Sequence, residues 1–135
     1  MNGADASEFE PVSWLLVFHR RCTTPVLNRF VIGEFKHVSA VGWIAASESW
    51  VFYDPSLNRT QILVMPDSPG VAAYSSIAVG NAVLRMPVLA RRGSARLGFW
   101  CVPAIKHLVG LRSGALRPDA LWRDCLANGA EIVSR

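Results

Sequence analysis

HVSAVGWIAASESWVFYDPSLNRTQILVM, residues 37–65, decides the fold. Residues 37–44 (HVSAVGWI) alternate loosely between apolar and small or polar residues, and residues 50–53 (WVFY) are aromatic and β-branched. Residues 60–65 (TQILVM) resume the pattern after Asp54-Pro55 and a short turn. Residues of this kind suit a pleated, half-buried surface, and the short polar links between runs predict an antiparallel meander. Gly42, inside the first run, marks a bulge or a close backbone approach.

Working outward, residues 13–18 (SWLLVF) and 26–32 (VLNRFVI) read as further strands, separated by a Thr- and Pro-containing loop. Ser68-Pro69 opens a short helix over 71–79, and residues 82–89 return to strand, with Pro87 placing that strand at an edge or bulge. The last third is helical. One helix begins at Cys101 or Val102, carries Val102, Ile105, Leu108 and Val109 on one side, and stops at Gly110. A second runs from Pro118 to about Ala127, and residues 131–133 form a last strand or a docked tail. The expected fold class is α+β: an antiparallel sheet of four to six strands from residues 13 to 89, the Cys101 helix on one face and the Pro118 helix at the periphery.

A chain of 135 residues, half of them apolar, fits one domain over 12–135, with 1–11 as a flexible lead-in. No apolar run is long enough for a membrane span, and the polar, acidic start does not resemble a secretory signal. Three irregularly spaced cysteines, Cys22, Cys101 and Cys125, argue against a disulfide framework and a cysteine metal site. No cofactor or metal is expected, and the cysteine usage makes a reducing cytoplasm the expected location. The net charge of +4 comes from twelve Arg and two Lys. Arg91, Arg92 and Arg96 form the densest cluster, read as a solvated loop; with no recognisable reading motif, nucleic acid is not an expected partner.

The chemistry-bearing residue is Cys101. At the start of an apolar helix, unpaired backbone N–H groups and the helix dipole favour a thiolate. His37, at the start of the strongest strand, can pair with it, and Asp54, closing the adjoining strand, can orient the imidazole. A hairpin centred on Ser47-Glu48 places Asn58 opposite His37, so Asn58 is a second candidate orienter. Trp100 is the best candidate for a cleft wall. Cys22 and Cys125 read as structural or incidental thiols, and His19 as a surface residue at a strand end. His107, six residues after Cys101 on the same helix, is discarded as the base.

Residues 36–39 (KHVS), 50–55 (WVFYDP) and 99–111 (FWCVPAIKHLVGL) resemble the circularly permuted branch of the NlpC-type, papain-like cysteine hydrolases, in which the His-bearing strand precedes the nucleophile helix. Residues 115–125 (ALRPDALWRDC) resemble the tail of small hypothetical proteins of bacteriophages and prophages. The resemblance implies Cys101 as nucleophile and His37 as general base. It further implies a hydrolase or acyltransferase acting on an amide or ester, with a peptide or ester substrate. The alternative it implies is a non-catalytic phage virion or assembly protein on the same fold, with other virion proteins as partners.

Overall fold

The computed structural model describes residues 6–22, 29, 31–89 and 98–135. Six strands form one antiparallel sheet: β1 (Ser13–His19), β2 (His37–Ile44), β3 (Ser49–Pro55), β4 (Thr60–Pro66), β5 (Ala82–Pro87) and β6 (Glu131–Ser134). Their order across the sheet is β4-β3-β2-β1-β5-β6. Helix α1 (Asp67–Ala78) joins β4 to β5, and α2 (Cys101–Val109) and α3 (Pro118–Ala127) precede β6. The class is α+β, as the residue patterns predict, and the tail 131–134 supplies the sixth strand.

The sheet has an apolar face on each side because its central strands are apolar at both parities. Leu16 and Phe18 pack with Val38, Ala40 and Leu84 beneath α2 and α3. Val17, Val41, Phe52 and Val83 form the opposite core, closed by Ala73, Tyr74 and Ile77 of α1. Gly42 marks a close approach: a Cβ there would lie 2.5 Å from the Pro11 ring and 2.8 Å from Trp14. The lead-in is therefore docked at Pro11, after a 3-10 turn at Ala6–Phe9.

Three expectations are corrected. Helix α3 is not peripheral: Leu121, Trp122 and Cys125 are buried in the main core. The Trp122 ring stands edge-on to Phe18 at 5.0 Å and packs on Phe35 at 5.2 Å. Helix α1 begins at Asp67, so Pro69 sits at its third position, where its missing N–H costs nothing because first-turn donors lack intrahelical partners. The strand expected over 26–32 falls partly outside the described residues, as do Arg91, Arg92 and Arg96. Its described members, Arg29, Val31 and Ile32, are in no strand, and β1 pairs directly with β2.

What replaces that strand is a tethered connection. The Asp119 carboxylate, in the first turn of α3, accepts the backbone N–H of Glu34 at 2.9 Å and of Phe35 at 2.8 Å. Gly33 makes this approach possible: its φ is +116°, and a Cβ would lie 2.2 Å from Asp119 Oδ2. The tether fixes the chain two residues before His37.

Candidate active site

The β2–β3 hairpin sets the geometry. Ile44 pairs with Ser49 and Ala40 with Tyr53. Its centre lies between Ala46 and Ser47, where a 3-10 turn ends in Glu48 with φ +48°. The register is one residue tighter on each strand than a hairpin centred on Ser47-Glu48. Asp54 consequently stands level with Ser39, diagonal to His37 on the same side of the ladder, within reach of a side-chain contact. The His37 ring donates from Nε2 to Asp54 Oδ1 at 2.5 Å. Asn58 is not opposite His37: β3 ends at Pro55, and Asn58 sits exposed on the β3–β4 loop.

Cys101 is the first residue of α2, and Trp100 is the N-cap. Residues 98–100 and the turn at Gly110, which takes φ +71°, bracket the helix. Val102, Ile105 and Val109 are fully buried, which locks the helix onto β2 and β3 and thereby the position of its first residue. Cys101 lines the same cavity as His37, close enough for its sulfur to act on the imidazole. Cys101 is 7% exposed, and that exposure opens into a cavity of about 480 Å³ that also reaches His37, Asp54, Asn58 and Trp100. The Trp100 indole N–H donates to the Leu116 carbonyl at 3.0 Å, fixing it as a wall.

The electrostatics follow from these contacts. Burial pulls the His37 pKa down, but the hydrogen bond to Asp54, the neighbouring Cys101 and the Asp54 charge outweigh it and raise the value to about 10. The hydrogen bond from His37 holds the Asp54 carboxyl below its ordinary value against the opposing effect of partial burial, with help from the charges of His37, His19 and Arg59. At neutral pH the pair is an imidazolium and a carboxylate.

His19 belongs to the site, contrary to its reading as a surface residue. It pairs across the ladder with His37, and the two ring centroids are 5.3 Å apart. Its Nε2 lies 2.8 Å from Ser39 Oγ, and its Nδ1 accepts from the Asn81 amide at 3.5 Å. One accepting and one donating nitrogen describe a neutral ring. Burial, then repulsion from His37, lower its pKa to about 4, with Asp54 opposing. The sequence signal was a His at the end of one strand and a His at the start of the next, which are opposite each other if those strands pair directly.

These shifts set a stability optimum. His19 has a folded pKa near 4, below its ordinary 6.5, so its contribution is present above pH 6.5 and is lost as pH falls through 4. His37 has a folded pKa near 10, so its contribution is present below pH 6.5 and is lost as pH rises through 10. The expected melting temperature is therefore highest near pH 6.5. In melts from pH 4 to 10, His19→Gln flattens the acid limb and His37→Gln the alkaline limb. A wild-type melting temperature still climbing from pH 7 to 10 refutes the assignment.

Of the sequence candidates, the structure brings Cys101, His37, Asp54 and Trp100 together and leaves Asn58 on the cavity rim. None of the three cysteines forms a disulfide. Cys125 is fully buried and its pKa is pushed up to about 12 by burial and then by Asp124. Cys22 is half-buried and lines the same cavity as Cys101. Among the described residues no cluster of three metal-ligating side chains occurs, and no helix is long and apolar enough to cross a membrane. No protein-family model, curated protein or solved structure matches this chain.

Proposed function

We propose that the protein is a cysteine-dependent hydrolase or acyltransferase acting on an amide or ester bond, with Cys101 as nucleophile, His37 as general acid–base and Asp54 as the residue that orients His37. The observation that carries this reading is the relay of Cys101, His37 and Asp54, with the sulfur at a helix start and open to a cavity. An imidazolium beside a sulfur at a helix N-terminus favours the thiolate, the nucleophilic form. The order His, Asp, Cys along the chain, with the base on a strand and the nucleophile on a helix, supports a likeness to the permuted papain-like hydrolases.

The thiolate adds to the carbonyl carbon, and the carbonyl oxygen takes the negative charge beside the unpaired first-turn N–H groups of α2. The C–N or C–O bond breaks, and the leaving group takes the proton from His37. Water, or a second acceptor, then gives its proton to His37 and attacks the thioester, which restores the thiolate and the imidazolium.

Brief alkylation with iodoacetamide at pH 7, followed by mass-spectrometric mapping, tests the premise. Cys101 reacts first, ahead of Cys22, and Cys125 reacts only on unfolding, because its buried thiol holds its proton. If Cys101 stays protected until denaturation while Cys22 reacts, Cys101 is not a nucleophile.

A further inference from the structure

The charges around the cavity are one-sided. Arg21 follows β1, Lys36 precedes β2, Arg59 ends the β3–β4 loop, and Arg117 caps α3; all four line the cavity. Among the described residues the only acidic side chain lining it is Asp54, already matched by the His37 imidazolium. Among the described residues, none of the three guanidinium groups is held in an ion pair. The Lys36 ammonium donates to the Val31 carbonyl at 2.5 Å, which leaves its charge uncompensated. Four cations delivered by four separate segments converge on one partly enclosed space.

A recess lined by one sign of charge concentrates ligands of the other sign, and guanidinium groups match the two oxygens of a carboxylate or phosphate. Trp100, Leu57 and Leu116 give the wall an apolar part, beside the uncharged polar Ser56, Asn58 and Gln61. We propose that the site selects acyl donors that carry an oxyanion, a carboxylate or phosphate, held at the rim by Arg59 and Arg117, with an apolar stem lying against Trp100 and Leu116. This rests on the assignment of Cys101 as nucleophile.

Paired alkylating agents test it without a known substrate. Iodoacetate and iodoacetamide both transfer their CH₂ group to the thiolate and release iodide, and they differ in charge. The quantity read is the ratio of their rate constants at Cys101, so changes in thiolate reactivity cancel. His37 also attracts the anion, so the arginine variants decide. Relative to the same ratio at Cys101 of the unfolded protein, the folded wild type shows a preference for iodoacetate of roughly tenfold at low salt. Arg59→Gln and Arg117→Gln each lower that ratio roughly two- to threefold, and the double variant lowers it further. Both arginines are exposed, so the variants keep the fold.

A ratio unchanged in the double variant overturns the inference while leaving the nucleophile in place. A folded Cys101 inert to both reagents overturns the nucleophile assignment, and this inference with it. With turnover in hand, mono-p-nitrophenyl glutarate is preferred over p-nitrophenyl valerate, which replaces the carboxylate by a methyl group, and the double variant loses that preference. Equal kcat/KM for the two esters counts against it. Protection of Cys101 by glutarate or by inorganic phosphate then tells which oxyanion fits better.

Discussion

Cys101→Ala and His37→Ala each lower turnover of an activated ester by about a thousandfold or more, because nucleophile and base act as one unit. Neither loss adds to the other: the double variant is no slower than the worse single one. Asp54→Asn costs about a hundredfold, since the Nε2 contact that orients the ring loses its charge. Asn58→Ala costs less than about threefold, because Asn58 reaches the cavity rim and not the ring. Steady-state kinetics on an ester panel checks the order, with thermal melting to separate chemistry from folding. A Cys101→Ala protein that turns over substrate as well as wild type refutes the mechanism. A wild type inert on amide and ester panels would leave the constellation as scaffold and turn attention to a structural role.

The second large effect is on folding. Ile105 is fully buried on the inner face of α2, in the core shared by Leu16, Val38 and Leu121. Ile105→Asp puts a carboxylate there with no partner, at a cost of several kcal/mol, on the order of the whole stability of a domain this size. The expected protein is unfolded or aggregated by circular dichroism and gel filtration. Ile105→Val, which removes one buried methylene, costs only about 1 kcal/mol and keeps the fold. An Ile105→Asp protein that melts like wild type would mean that α2 is not packed on the sheet. The site depends on that packing, because Cys101 is the first residue of the helix and is carried to the sheet by it.

Local patterning carried a large part of this architecture. The meander over residues 37–65, the strand at 13–19, the stop of α2 at Gly110 and the start of α3 at Pro118 are all written in short-range signals: alternation, β-branched and aromatic runs, glycine and proline. These features depend on a residue and its near neighbours, so they survive reading in one dimension. The same holds for Cys101 at a helix start, for His37 at a strand start and for Asp54 at the end of the next strand.

Tertiary structure decided what depends on register and long-range closure. Asp54 rather than Asn58 holds His37 because the turn at Ala45–Ser47 ends in a left-handed Glu48, and the resulting shift of pairing is invisible to pattern matching. His19 enters the site only because β1 pairs with β2 across the intervening segment, against the expectation that a strand over 26–32 lies between them in sequence. The Asp119 tether needs α3 to pack into the core, and nothing in its amphipathic pattern says which face of the sheet it will meet. The convergence of Arg21, Lys36, Arg59 and Arg117 is of the same kind: charges far apart along the chain become a field only when the fold brings their segments around one cavity. Sequence determined most of the elements and the candidate residues Cys101, His37 and Asp54, because those follow from local chemistry. The structure alone determined which of them meet, because strand pairing and helix docking are chosen by the packing of the whole core.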